Sequence, residues 1–170
     1  MTWQQIVDAL GLAPHPEEGG YYRETYRSPG RFEPGAPFDG VRSVGTAIYY
    51  LLTPDTYSAL HRLPGDEIFH HYLGDPVEML LLRPDGSSEV QLLSSDLGSG
   101  RPQRVVPGGV WQGSRLVEGG EFALLGTTMA PGFQFEDYES GGSDLAERHP
   151  DRRALIDQLL PGGGARAEPS

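Results

Sequence analysis

The chain contains no cysteine in its 170 residues. That absence excludes disulfides, a thiolate nucleophile and any metal site built on sulfur, and it gives no reason to expect an oxidising compartment. Long apolar runs are missing as well: no stretch approaches the roughly 18 residues that a membrane-spanning helix needs. The opening residues, Met1 to Leu10, lack the basic start and unbroken apolar core of a secretory signal, so a cytoplasmic protein is expected. Positive charge is scarce, with 13 Lys and Arg against 24 Asp and Glu and a formal net charge of −11. Such a surface repels phosphate backbones and anionic lipid, which argues against nucleic acid and membrane as partners. No Gly-x-Gly-x-x-Gly, Walker loop or serine elbow occurs in a usable context. The Gly pairs at 19–20, 108–109, 119–120 and 141–142 read as turns.

What is abundant is turn chemistry. The 24 Gly and 15 Pro are spread along the whole chain, the pattern of many tight turns between short strands. Strand-like runs cover 21–26, 46–53, 56–62, 67–73, 77–83, 88–93, 104–106, 110–116, 121–129 and 133–138, each bounded by Gly, Pro or Asp. Pro84-Asp85-Gly86 is the sharpest hairpin signal among the separators. Residues 28–44, with Pro29, Gly30, Pro34 and Gly35, read as a long surface loop, and Ala13–Gly20 as an irregular one. Helical spacing occurs only near the ends. Thr2 can cap a helix carrying Trp3, Ile6, Val7 and Leu10 and stopped by Gly11, and Leu155, Ile156, Leu159 and Leu160 make an apolar stripe after Pro150. Many short strands at this spacing predict an antiparallel sandwich or barrel in one domain, residues 1–160, with 161–170 a disordered tail.

The segment richest in chemistry is His61-Arg-Leu-Pro-Gly-Asp-Glu67-Ile-Phe-His-His-Tyr-Leu-Gly74. Strand alternation places Glu67, Phe69 and His71 on one face, Tyr57, Ala59 and His61 on another, and Val110, Gln112 and Ser114 on a third. A bulge would flip any of these sets. His61, then Glu67 and Gly74, resembles the first cupin motif, His-x-His, three or four residues, Glu, six residues, Gly. About thirty residues on, Pro107-Gly-Gly-Val-Trp-Gln112 resembles the second, Pro-x-Gly-x-x-His. Leu63 and Gln112 stand where that pattern has two further His. The stretches 14–22, 58–62, 66–70, 74–76, 107–112 and 130–133 resemble the cupin-5 group, DUF985, and the likeness runs from about residue 3 to 140.

The resemblance implies an all-β fold: a double-stranded β-helix, or jelly-roll barrel, with short N- and C-terminal helices outside it. His61, Glu67 and Gln112 would then converge in the interior. It also implies a homodimer formed through the sheets. Two chemistries are open for the trio. Imidazole, carboxylate and amide oxygen could hold Zn, Fe, Mn or Ni, although two imidazoles are lost relative to the motif. Without metal, Glu67 could orient His61 as a general base, with Tyr22, Tyr50 or Tyr57 as the opposing acid, an arrangement similar to that of cupin-barrel sugar-nucleotide epimerases. Catalysis is thus expected from His61, Glu67 and Tyr22, and ligand contacts from Gln112, His71, Phe133, Tyr57 and Glu24. Glu24 shares parity with Tyr22 and Tyr26, whereas Arg23 and Arg27 read as solvated. His15 and His149, beside prolines, read as a loop residue and a helix-start residue, and Trp111 as core or pocket wall. Two functions follow: an enzyme moving a proton on a small polar metabolite, a sugar derivative or keto acid, or a non-catalytic barrel that holds a ligand without metal.

Overall fold

The computed structural model describes residues 1–162; the tail expected at 161–170 lies, beyond Gly162, outside the described residues. The chain begins with α1 (Trp3–Leu10). Thr2 and Gln5 form a reciprocal capping box at its start, and Gly11 closes it in the left-handed conformation at φ 60°. Then come β1 (Ala13–Pro14), β2 (Tyr21–Arg27), β3 (Arg31–Phe32), β4 (Arg42–Ser43), β5 (Thr46–Leu52), β6 (Tyr57–Arg62), β7 (Glu67–Gly74) and β8 (Val77–Leu82). β9 (Ser88–Leu93), β10 (Gln103–Val106), β11 (Trp111–Leu116), β12 (Ala123–Met129) and β13 (Glu139–Ser140) follow, and α2 (Asp144–Arg148) and α3 (Arg153–Leu159) end the fold. Among the described residues, no helix is long and apolar enough to cross a membrane.

All of these strands except β3 and β4 form two facing antiparallel sheets. One has the order β1-β2-β5-β12-β7-β10 and the other β13-β6-β11-β8-β9. Sequence neighbours are distributed between the sheets, as in a jelly roll, so residues remote in sequence meet in the middle. The interior is filled from both sides: Tyr50, Leu52, Phe69 and Leu125 of the six-stranded sheet pack against Val77, Met79, Leu81 and Leu116 of the other. A second apolar layer lies outside each sheet. Ile6 of α1 covers Leu51 and Leu124. Leu145, Ile156 and Leu159 of α2 and α3 cover Leu60, Leu80 and Leu82. The terminal helices thus act as lids on sheet faces that would otherwise expose leucine, consistent with their one-sided apolar stripes.

Turn chemistry sets the joints. Between β8 and β9, Gly86 N–H donates to the Arg83 carbonyl (3.0 Å) with Gly86 at φ 87°, and Ser87 N–H donates to the Asp85 carboxylate (2.9 Å).

The structure departs from the sequence pattern in three places. Residues 28–44 include a small β3–β4 ribbon with Arg42 and Ser43 buried. Ala13 and Pro14, expected in a loop, pair with Tyr22 and Tyr21. The run 133–138, expected as a strand, contains a 3-10 turn at Phe135–Asp137, with Asp137 N–H donating to Gln134 and Tyr138 N–H to Phe135. Its aromatic alternation reflects packing against a cavity instead of a ladder.

Candidate functional site

Three strands of the six-stranded sheet, β5, β12 and β7, change character along their length. β5 is apolar at Tyr50 and Leu52, and Thr46 and Ile48 at its other end line a cavity of about 440 Å³. β12 changes likewise from Leu125 to Thr127 and Met129, and β7 from Phe69 to Glu67. The cavity volume lies within the range of small-molecule sites, about 300–1,000 Å³.

Glu67 and Gln112 approach from opposite sheets. On β7, Glu67 sits between Met129 and Val106. On β11, Gln112 sits between His61 and Leu81. The amide Nε2 of Gln112 donates to Glu67 Oε2 at 2.8 Å across the interior. The loops carrying the two motifs are also joined directly. Gly109 N–H donates to the Leu63 carbonyl (2.8 Å) and Gly108 N–H to the Asp66 carboxylate (2.9 Å). A Cβ on Gly108 would stand 2.2 Å from the Pro64 carbonyl oxygen, so only glycine permits this crossing.

His61 is 1% exposed and faces inward because β6 carries a bulge. Ser58 opposes Ser114 and His61 opposes Gln112, so β6 uses one residue more than β11 over that step. The extra residue reverses the side-chain parity. Ser58 and His61 point inward, whereas Tyr57 points out, donates its hydroxyl to the Leu160 carbonyl (2.8 Å) and packs with the helix-covered leucines. The expected ligand contact through Tyr57 is therefore corrected: it belongs to the outer layer. Trp111 likewise packs outside, with the Arg62 guanidinium over its ring at 4.6 Å.

A site residue missed by the sequence reading enters from the loop before β2. Glu18 lines the cavity. Its carbonyl accepts from Ala59 N–H (2.8 Å), its carboxylate accepts from the Ser58 hydroxyl, and its backbone N–H donates to His15 Nδ1 (2.9 Å). The loop can lie this close because the next residue is glycine. Gly19 has φ 93°, and a Cβ there would be 2.4 Å from the Tyr57 carbonyl oxygen. The signal available in the sequence was a carboxylate immediately before Gly19-Gly20, in a segment tied down at both ends by proline and glycine. It carries no strand parity, so nothing showed which way Glu18 points. His15 is a loop residue as expected, and it also lines the cavity, 4.5 Å from the Tyr22 ring.

Among the other expected site residues, Tyr22, Glu24 and Phe133 line the cavity, while His61 and Gln112 stand behind the wall formed by Glu18, Glu67 and Tyr138. His71 does not reach it. It shares the inward face with Glu67 and Phe69 but lies beyond Phe69, where its Nε2–H donates to the Asp75 carbonyl (2.9 Å). The expected ligand contact through His71 is therefore corrected: its side chain is on the inward face but at the far end of the barrel from the cavity. Tyr50, considered as an acid, donates its hydroxyl to the Gly19 carbonyl (2.8 Å). Tyr138, not singled out in the sequence, stacks on the His61 ring at 4.9 Å and 16°, and its buried hydroxyl has no hydrogen-bond partner.

Burial sets the electrostatics. Desolvation raises Glu67 from about 4.5 to about 7, the nearby Glu18 carboxylate pushes the same way, and His61, Thr127 and Gln112 oppose it. Glu18 is raised too, mainly by burial against the opposing influence of His15, Ser58 and Tyr50. His61 and His15 are lowered, again mainly by burial. A carbonyl can only accept, so the 2.8 Å contact of His61 Nδ1 with Ala59 O fixes the proton on Nδ1 and leaves Nε2 as an acceptor, 3.9 Å from Glu18 Oε2.

The metal expectation does not survive this geometry. Gln112 directs its amide nitrogen at Glu67, so the group meant to ligate is donating a hydrogen bond, and Leu63 offers no ligand. Among the described residues, no three His, Cys, Asp or Glu side chains gather closely enough to hold a metal ion. His61, Glu67 and Gln112 therefore do not fit a transition-metal centre.

Comparison with known proteins agrees with the architecture. A relative from Saccharomyces cerevisiae, an uncharacterized protein, is 35% identical over 147 residues, 79% of this chain and 73% of that one. A solved structure of a hypothetical protein from Leishmania major superposes with a TM-score of 0.85 at 29% identity, covering 94% of this chain and 99% of the other. A protein from Shewanella oneidensis gives a TM-score of 0.84 at 32% identity, covering 95% and 98%. The family model described as Cupin superfamily (DUF985) matches residues 4–141. Two facing jelly-roll sheets, with both motif strands meeting in the interior, are what that match requires, and the chain belongs to this cupin family.

Proposed function

We propose that the cavity is the active site of an enzyme that moves a proton on a small polar metabolite, with Glu67 as the group that gives and takes it. One observation supports this reading above the others: Glu67 lines a ligand-sized cavity while buried, hydrogen-bonded to Gln112 and held near pKa 7. A carboxyl titrating there is divided between acid and base forms at neutral pH, the condition in which one group serves both directions of a proton transfer. His61 stands behind the wall with its Nε2 lone pair toward Glu18, and Gln112 holds the Glu67 carboxylate in one orientation. Both act as positioning residues. Tyr22 and Tyr138 are the phenols at the wall, since Tyr50 is engaged with Gly19.

The test works whatever the product is. Compounds that raise the melting temperature are selected from sugar derivatives, amino sugars and keto acids, then incubated with the protein in deuterated water. Wild type should exchange a carbon-bound proton of at least one of them. Glu67→Gln should reduce that exchange by at least about a hundredfold, and His61→Asn should shift its pH profile. Ligands that bind without exchanging would replace this reading with that of a non-catalytic binding barrel, which the aromatic rim of His15, Tyr22, Phe133 and Phe135 also supports.

A further inference from the structure

The arginines of this protein are mostly placed against carboxylates. Arg42 pairs with Asp137, Arg62 with Glu139, Arg83 with Glu89 and Arg115 with Glu78. Three carboxylates line the cavity, and one of them, Glu24, is bound by Arg27. The other two, Glu18 and Glu67, lie deeper, and no ion pair with an arginine involves either among the described residues. Arg23 lines the cavity at its mouth, where its guanidinium donates to the Leu10 carbonyl (2.8 Å), and Arg27 binds Glu24 and the Phe133 carbonyl; neither pairs with Glu18 or Glu67. His61 supplies no counter-charge, because burial favours its neutral form and Nε2 is an acceptor. The Tyr138 hydroxyl, buried and without a partner, adds another oxygen able to accept a hydrogen bond.

A pocket with acceptors and unbalanced carboxylates at its wall is complementary to a ligand that brings hydrogen-bond donors and positive charge. Above about pH 7, where Glu67 is ionised, a carboxylate ligand would meet like charge in a low-dielectric cavity and bind poorly. Apolar and aromatic groups occupy the rest of the lining, among them Ile48, Met129, Phe133 and Phe135, with Phe135 45% exposed at the rim. They suit the hydrocarbon or ring portion of such a molecule. We infer that the cavity takes an amine-bearing small molecule, its ammonium seated between Glu18 and Glu67 and its ring or hydrocarbon body against Phe133 and Phe135. This narrows the substrate class of the site proposed above to amines, such as amino sugars, and away from keto acids. It rests on that cavity being a ligand site.

The pH dependence has a definite sign. Around Glu67 stand Glu18 and His15 from the first loop, His61 of β6, Gln112 of β11, Thr127 of β12 and Tyr138, with Arg23 and Glu24 at the mouth. An ammonium needs the ionised carboxylate. Since Glu67 titrates at about 7, amine affinity should rise about tenfold from pH 6 to pH 8.

Benzylamine, benzyl alcohol and benzoate share one ring and differ in the head group, so calorimetric titration of the full-length protein with all three isolates the question. Benzylamine should bind at least about tenfold more tightly than benzoate at pH 8 and lose most of that advantage at pH 6. Glu18→Gln and Glu67→Gln should each weaken benzylamine by about fivefold or more and strengthen benzoate, while the exposed, distant Glu121→Gln should change neither. Melting curves check that the variants are folded. Benzoate or benzyl alcohol binding as tightly as benzylamine, or no probe binding up to about 10 mM, overturns the inference. Failure of the proton-transfer reading looks different: an amine binds as described, yet no bound compound exchanges deuterium.

Discussion

The barrel interior has two ends that share the same strands and obey different rules. At the closed end Tyr50, Leu52, Phe69, Leu81 and Leu125 fill the space between the sheets. At the open end the same β5, β7 and β12 present Thr46, Glu67 and Thr127 to a cavity. A sequence selected only for stability would continue the leucines outward, because buried carboxylates raise the energy of the folded state unless they are protonated or matched by a cation. The closed end holds the sheets at a fixed spacing, and that spacing brings Glu67 and Gln112 to 2.8 Å across the interior. One end supplies rigidity and the other spends part of it on polar groups, the division expected of a binding site built on a packed scaffold.

Substitutions at the two ends should therefore behave differently. Leu125→Ala, at the closed end and fully buried, should have the largest effect, a loss of about 2–5 kcal/mol by chemical denaturation, because a truncated leucine leaves a void that a packed interior fills only partly. A loss below about 1 kcal/mol would mean that the closed end is not the rigid half. Glu67→Gln should act in the opposite sense, through pH. As pH rises from about 4.5 toward about 7, the unfolded chain ionises Glu67 while the folded chain keeps the proton. Stability from this group is full below 4.5 and declines up to about 7. The glutamine variant never ionises, so its stability relative to wild type should climb through that window and level off above it. His61 titrates in the opposite sense, its pKa being lowered by burial, but it is present in both proteins. A relative stability that falls with pH in melting curves from pH 4 to 8 would show that Glu67 is not the desolvated group described here.

Much of this was legible in the sequence, and the reasons differ residue by residue. Glu67, Phe69 and His71 share a face as alternation demands, because β7 runs regularly over these positions. The separators rich in Gly and Pro marked most strand ends within a residue or two, since turn chemistry acts locally. Position along a strand is not local. Alternation says which face His71 occupies but not how far it lies from the mouth, which depends on where Asp75 and Phe69 sit in three dimensions. Glu18 escaped because a loop has no periodicity from which to infer direction, and its place follows from Gly19 passing so close to the Tyr57 carbonyl that a Cβ there would stand 2.4 Å from its oxygen. The 133–138 segment misled for a related reason. Its aromatic spacing matches a strand, while its course is set by the contact of Asp137 with the buried Arg42, 95 positions away.

Tyr57 gives the finest test of the contrast between the inside and the outside of the sheets. Without the β6 bulge, Tyr57 would share the face of His61, and its hydroxyl would point toward the ligand. With the bulge, that hydroxyl is bonded to Leu160 on the far side of the sheet and holds the end of α3. Tyr57→Phe keeps the ring and removes the hydroxyl, leaving the Leu160 carbonyl without its donor, so a loss of about 0.5–1.5 kcal/mol is expected. Benzylamine affinity should stay within about twofold of wild type, because nothing in the cavity wall changes. The reverse pattern, unchanged stability with a severalfold change in ligand affinity, would return Tyr57 to the interior. It would also withdraw the one-residue insertion that brings His61 and Gln112 side by side behind the cavity wall.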